Sequence, residues 1–342
     1  MIWMRCFCKL VMRLDLRALR SFVAVASAGS ISSAAHSLHI AQPALSVQIK
    51  QLEEQFGAAL FDRRPRGVVL TAVGVRLLGH AVEILRRVDV AYDDVRQAVD
   101  QPSGRVALAL PQSVAKFITV PLVQAVVRQW PLIQLQIVEL SSGYIPQQLL
   151  HGLVDIGITF GTEDDARMRF THVLQEELVF VTTAPQLAQH HGALADGTAA
   201  MALEDVARFS MVLPTTTQSL RHALDAYMTK AGVAPRIVVE VNTIHEILSL
   251  VATGLGSTIL SFAAVSDQLE TRQLLALPMV RPAMSRSIYA CRSATLPMSI
   301  AATKVHEQLL ATIISLASSQ RWPQSTIMLP IPQSEDNAGP PR

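Results

Sequence analysis

Cysteine is scarce in this chain, with only Cys6, Cys8 and Cys291 among 342 residues and no C-x-x-C pair. That excludes a disulfide framework and points to a reducing, cytoplasmic setting. Cys6-Phe7-Cys8 has no neighbouring histidine and is read as no metal site, and His190-His191 reads as the surface of a polar loop. Long apolar runs are also missing. No stretch of about 18 apolar residues suggests a membrane span. Residues 1–11 have neither a long apolar core nor a small-residue cleavage site, so no export signal is read there. Charged residues make up 16% of the chain and the net charge is +2, so a nucleic-acid contact would have to rest on a local basic patch. With 50% hydrophobic residues the chain is a packed globular protein, long enough for two or three domains.

Catalytic signatures are absent as well. No G-x-S-x-G, H-E-x-x-H or P-loop occurs, and Gly254-Leu255-Gly256 is followed three places on by Ile259, so G-x-G-x-x-G fails. Those glycines read as a tight helix-to-strand turn. The scattered acids form no pair tied to a pocket. No catalytic residue, metal site or cofactor is expected, and the chain is read as a non-enzyme.

The most informative stretch is SISSAAHSLHIAQPALSVQIK, residues 30–50. Ile31, Ala34, Ala35 and Leu38 recur at helical spacing, and after a break so do Leu45, Ile49, Leu52 and Phe56. Ser30 suits an N-cap, and Pro43 suits the first turn of a second helix beginning at Gln42. Only His39 to Ala41 are left between the helices, and Ala34 and Ala35 allow a close crossing. An upstream helix through Leu19, Phe22, Val23 and Ala26 supplies the third wall of a small core. On the second helix Gln42, Ser46 and Lys50 fall at i, i+4 and i+8, beside Pro43 and Val47 and opposite the apolar set. Such a face fits a major groove, where Gln and Ser meet base edges or phosphates and Val can touch a thymine methyl. Ser32 and Ser33, early in the first helix, are further candidate contacts.

Past Gly57, a helix-ending glycine, Leu60-Phe61-Asp62-Arg63, the turn Arg64-Pro65-Arg66-Gly67 and Val68-Val69-Leu70 read as a short hairpin. Arg63, Arg64 and Arg66 at its tip oppose only Asp62, as in a wing that touches phosphate or the minor groove.

From Leu14 to about Gly74, and above all in AAHSLHIAQPALSVQIKQLEEQFGAALFDRRPRGVVLT, the chain closely resembles the winged helix-turn-helix of LysR-type transcriptional regulators. The alanines of the first motif helix, AQPALS, QLE and the LF-D-R…G-V-LT wing fall in the family's order and spacing. IAQPALS, RRPRGVVLT, SSG and LPTTTQSLR resemble the nitrogen assimilation control branch. Two departures stand out. Val47 occupies a place where the family often has a longer polar or basic side chain, so the family's base preference does not carry over there. Ala72-Val73 replaces the usual acidic-alanine pair after Thr71. Met12 stands where such proteins usually begin, so translation is expected to start there and residues 1–11 to be a non-native or disordered extension.

The predicted organisation is α/β: a winged helix-turn-helix over 12–71 with its motif at 31–50, a linker helix over 72–100 and an effector-binding domain over 101–320. Val75, Leu78, Val82, Leu85, Tyr92, Val95 and Val99 mark one stripe on the linker, with Thr71 as its cap. A helix of that length buries little within its own subunit and calls for a second copy, as the family's dimerising linker does. Asp100 to Gly104 forms a hinge. Strands are expected at 105–110, 134–139, 155–160, 178–182, 210–213, 237–241, 257–260 and 287–291. Helices are expected at 118–129, 144–150, 220–231, 244–253 and 300–318. This gives lobe I at about 105–161 and 270–320 and lobe II at about 166–265, with crossovers near 161–165 and 264–270. The resemblance implies a two-lobed domain similar to type II periplasmic solute-binding proteins. Residues 321–342 are read as a mobile tail.

Ligands in such sheets bind beyond the carboxyl ends of strands. That rule selects Gln112, Ser113, Ser141, Ser142, Phe160 and Gly161 in one lobe, and Thr215, Thr216, Thr217, Gln218, Asn242 and Thr243 in the other. Hydroxyls and free N–H groups at helix starts suit a small carboxylate or other anion. The competing reading is that these residues are ordinary N-caps. Expected partners are double-stranded DNA carrying an interrupted palindrome, a second copy as dimer or tetramer, a small-molecule effector and RNA polymerase, with no membrane. A solute-binding protein would account only for residues 105–320, and an α/β enzyme would need a catalytic constellation that is not found.

Overall fold

A computed structural model describes residues 14–65, 67–97, 101–191, 200–216, 218–270 and 273–329. The expectations for residues 1–11, Arg66, Thr217 and the end of the chain from 330 onward lie outside the described residues. The fold divides into two compact units. One contains the described residues up to Gln97 with Leu150–Leu153 and Thr295–Ile300, and the other contains the rest.

The first unit opens with α1 (Leu16–Ala28), capped by the Asp15 side chain on the Arg17 amide and ended by Gly29 in the left-handed region. α2 (Ile31–Ser37) starts with the Ser30 hydroxyl accepting from the Ser33 amide at 3.4 Å. α3 (Gln42–Phe56) carries Pro43 in its first turn and ends at Gly57, φ 64°. Leu19, Phe22 and Val25 of α1 pack with Ala34 and Ala35 of α2 and with Leu45, Ile49 and Leu52 of α3. Burying each large side chain here stabilises by roughly 1.5–3 kcal/mol. Val25 fills the place expected for Val23 and Ala26, which are half-buried. Phe56 is 45% exposed, because the last turn of α3 runs past the small core.

The wing is the antiparallel pair β1 (Phe61–Arg64) and β2 (Gly67–Leu70), with Arg64 opposite Gly67. Near its tip it is fixed to the residue after α1 by a Val68 N–H to Gly29 carbonyl bond of 2.8 Å. Gly67 has φ 137°, and a Cβ there would come within 2.2 Å of that carbonyl, so glycine is required. α4 (Ala72–Gln97) follows, with the Thr71 hydroxyl accepting from the Gly74 amide at 3.0 Å. Leu77, Leu78, Ala81 and Val82 are buried. Val75, Tyr92 and Val95, expected on the same stripe, are exposed.

In the second unit β3 (Gly104–Leu110), α5 (Gln112–Gln129), β4 (Ile133–Glu139), a 3-10 turn (Ser142–Tyr144), α6 (Ile145–Leu150) and β5 (Ile156–Thr159) form a parallel α/β series in the order β4-β3-β5. α5 starts at Gln112, well before the expected Ile118, because Pro111 stands at its N-cap and the polar first turn still buries Ser113 and Val114. β6 (Met168–Thr182) is three times the length expected for it, 15 residues against 178–182. α7 (Ala184–His191), β7 (Met201–Ala202) and a 3-10 helix (Leu203–Arg208) follow. His190 therefore lies on a helix, with its ring 4.9 Å from that of Phe209, and not in the polar loop expected.

β8 (Ser210–Pro214), α8 (Ser219–Ala231), β9 (Arg236–Val241), α9 (Ile244–Ala252) and β10 (Thr258–Ser261) form the second series, with β8 and β9 parallel. α10 (Phe262–Glu270) occupies what was expected to be a bare crossover, held by buried Ala263, Ala264 and Val265. β11 (Leu275–Val280), β12 (Ser285–Ser293), α11 (Ile300–Ser318) and β13 (Ser325–Ile327) complete the chain. β6 is the shared strand. Its first part pairs with β12 and β13, and its last part with β10 and β11.

The expected mobile tail is corrected in its first part. Trp322 is 1% exposed and stacks on Phe117 with centroids 5.4 Å apart, and β13 adds to β6. No helix among the described residues is long and apolar enough to cross a membrane.

Candidate nucleic-acid interface and ligand cleft

The reading face is set by what α3 buries. With Leu45, Ile49 and Leu52 turned inward, Gln42, Pro43, Val47 and Lys50 are exposed and Ser46 is half-buried. Ser32 and Ser33 are exposed on α2, and Arg63 and Arg64 on the wing. Lys50 lies 3.7 Å from Glu54 one turn on, an exposed pair that contributes little and leaves the ammonium free to meet phosphate.

Three residues that the sequence pattern did not single out hold this surface in place. The Ser21 hydroxyl donates to the Gln48 carbonyl oxygen at 2.7 Å, joining α1 to α3. Glu53 accepts from the Leu60 and Phe61 amides at 2.8 and 3.2 Å, joining α3 to the wing. Helix and wing therefore form one rigid surface. Glu53 belongs to the QLE signature, which was the available signal for it.

In the second unit a cavity of about 290 Å³ lies between the two series of strands. Of the predicted residues, Gln112, Ser113, Ser141, Ser142, Phe160, Gln218, Asn242 and Thr243 line it. Gly161, Thr215 and Thr216 are not among its lining residues. Gly161 has its carbonyl bonded by the Thr159 hydroxyl in a local turn, and the Thr215 amide is bonded to the Val241 carbonyl, which extends the β8–β9 pairing by one residue.

Side-chain contacts also cross the cavity between the lobes. The Ser142 and Ser219 hydroxyl oxygens are 2.6 Å apart, and Gln218 Nε2 donates to Ser141 Oγ at 3.2 Å. Three helices begin at the wall, α5, α8 and α9, and none has a side-chain cap bond from its N-cap residue, Pro111, Gln218 or Thr243. The capping explanation for Thr243 therefore fails. Its Oγ1 is buried and has no hydrogen-bond partner in the structure.

Arg286 forms part of the cavity wall and was not legible in the sequence. It pairs with Glu176, both side chains being almost wholly buried, and its Nη2 donates to the Ser113 and Ser261 hydroxyls at 2.9 and 3.0 Å. Its guanidinium lies 3.7 Å over the Phe160 ring. Trp322 Nε1 donates to the other Glu176 oxygen at 3.2 Å. Both members of the pair thus have further hydrogen-bond partners, as a buried ion pair needs. Among the described residues no cluster of three or more His, Cys, Asp or Glu is placed to hold a metal ion.

A rigid winged helix-turn-helix joined in one chain to a two-lobed α/β domain with a ligand-sized cleft defines a DNA-binding sensor. Residues 16–75 match the bacterial regulatory helix-turn-helix protein, lysR family, and residues 100–313 match the LysR substrate binding domain. The nitrogen assimilation regulatory protein nac of Klebsiella aerogenes is 30% identical over 301 residues, covering 88% of this chain and 95% of that protein. Among solved structures, a full-length single-residue variant of OxyR from Pseudomonas aeruginosa superposes with a TM-score of 0.70 at 21% identity, over 88% of this chain and 95% of that one. Full-length CbnR in complex with its target DNA gives 0.59 at 21% identity, over 88% and 99%. The chain belongs to the LysR family of transcriptional regulators, with a DNA-binding helix-turn-helix and an effector-binding domain.

Proposed function

We propose that α3 enters the major groove with Gln42, Pro43, Ser46, Val47 and Lys50 as its contacts, helped by Ser32 and Ser33, while Arg63, Arg64 and Arg66 meet phosphate or the adjacent minor groove. The observation supporting this is a polar, basic and exposed surface held rigidly by Ser21, Gln48 and Glu53. The unit acts in the cytoplasm as a dimer or tetramer on an interrupted palindrome.

The cleft takes a small anion, in the class of a carboxylate. This reading rests on the three helix starts without side-chain caps and on the spare Thr243 hydroxyl, since free N–H groups and helix dipoles favour negative charge. Gln112, Ser141, Asn242 and Thr243 contact it. Ser113 and Phe160 act through Arg286. Ser142 and Ser219, already paired across the cleft, report its closure. A ligand that binds one lobe arrangement better than the other shifts the population, re-aims the paired reading heads and changes DNA bending and contact with RNA polymerase. Catalysis has no part in this mechanism.

Footprinting on the DNA upstream of its own gene, with and without a panel of small anions, tests site, spacing and ligand response together. Protection that no anion alters would overturn the effector reading. Lys50→Ala and Arg64→Ala are expected to weaken binding, and each should lower the salt slope by about one if its side chain neutralises one phosphate. A slope unchanged in both variants rejects them as phosphate-binding residues.

A further inference from the structure

Val47 is 53% exposed in the middle of α3, one turn after exposed Pro43 and between Ser46 and Lys50. An isolated exposed valine is ordinary on a protein surface. This one lies on the exposed face that also carries Gln42, Ser46 and Lys50, and it can neither donate nor accept a hydrogen bond. The helix cannot roll to hide it. Leu45, Ile49 and Leu52 are buried on the opposite side, the Ser21 hydroxyl holds Gln48, and Glu53 holds the Leu60 and Phe61 amides. Being β-branched, Val47 keeps essentially one rotamer in a helix, so its methyls stand at fixed positions. Pro43, four residues earlier, extends the apolar strip along the same face.

Lys50 on the same helix and Arg63 and Arg64 on the wing are exposed basic groups of the same unit. They favour a polyanion over an apolar protein partner. On the major-groove edges of the base pairs, the apolar group on offer is the C5 methyl of thymine. A longer basic side chain at the same place would instead seek the acceptors of guanine.

We infer that Val47, with Pro43 beside it, packs on a thymine C5 methyl and is a specificity-determining residue of the DNA contact. The inference rests on the assignment of α3 as the reading helix. It places a thymine at one fixed position in each half-site.

The test uses the full chain. A preferred duplex is selected from random DNA, and each thymine in it is then replaced singly by deoxyuridine, which removes the methyl and keeps the pairing. One thymine in each half-site is expected to show binding about four-fold weaker on replacement, the size of losing one buried methyl. Val47→Ala and Val47→Ser should bind the thymine duplex more weakly and bring the thymine-to-uracil ratio close to one. A selected duplex with no uracil-sensitive thymine overturns the Val47 inference alone, as does a sensitivity unchanged in both variants. Failure to select any sequence overturns the reading-helix assignment and this inference with it.

Discussion

At the scale of single residues, the groups proposed to read DNA and the groups that hold the helix differ in how visible they are in sequence. Gln42, Ser46, Val47 and Lys50 were legible because a short amphipathic helix assigns every position to one of two faces. Gln48 and Glu53 belong to the polar positions by the same rule, yet their bonds run sideways to α1 and the wing. Arg286 and Glu176 could not be foreseen. They stand 110 positions apart on two strands, and a charged residue on a strand reads as solvent-facing until its partner is known. Cys291 is a similar case, read only as one of three thiols and found at 0% exposure on β12. Burial pushes its thiol pKa from 9.0 up to about 12, against a bond to Thr159 that lowers it. The thiolate fraction near pH 8 is then about a thousand-fold below that of an exposed thiol. Iodoacetamide at that pH should leave Cys291 unmodified in the folded protein and alkylate it in urea, as peptide mass mapping would show. Rapid native labelling of Cys291 would contradict its burial.

At the scale of elements, legibility followed self-sufficiency. The motif helices carry local end signals, the Ser30 cap of α2 and the Pro43 start and Gly57 stop of α3, so those limits are written locally. β6 does not. Its stretch from Met168 to Glu177, with Arg169, Glu176 and Glu177, lacks an apolar run, and it is a strand because β12 and β13 supply partners. The same non-local cause explains the segment after α11, whose polar and proline-rich composition concealed a buried tryptophan. Trp322 fills space against Phe117 and donates to the carboxylate that also pairs with Arg286. Trp322→Ala should therefore destabilise the second unit by about 3–5 kcal/mol, the range for removing a large aromatic from a core. Urea unfolding would measure it. Trp322→Phe should recover much of that loss by keeping the stack, leaving the cost of one unsatisfied carboxylate oxygen, about 1–3 kcal/mol. Equal stability of wild type and Trp322→Ala would mean that the segment is only laid against the domain.

At the scale of the whole molecule, α4 raises the question of what covers it. At 26 residues it is about 39 Å long, and among the described residues those buried within the unit, Gly74, Leu77, Leu78, Ala81 and Val82, lie in its first half. Tyr92 and Val95, three residues apart on one face, are 70% and 74% exposed. Large apolar side chains at helical spacing on a solvent-facing helix are stabilised by a second helix carrying the same pattern, and another copy of this chain supplies one. A two-fold pair of reading heads also needs such a join, because one head alone gains no affinity from the second half of a palindrome. Tyr92→Glu combined with Val95→Glu puts two negative charges on that face in each copy, so four would meet across a symmetric interface. The double variant should sediment at lower mass than the wild type at micromolar concentration. It should keep its helical circular dichroism and bind a full palindrome no better than a half-site. Tyr92→Phe with Val95→Ile keeps the face apolar and should preserve the wild-type mass, which separates loss of pairing from loss of fold. An unchanged mass in the charged variant would move the pairing surface away from the distal half of α4, and the search would then pass to the exposed Val73 and Val75 at its start.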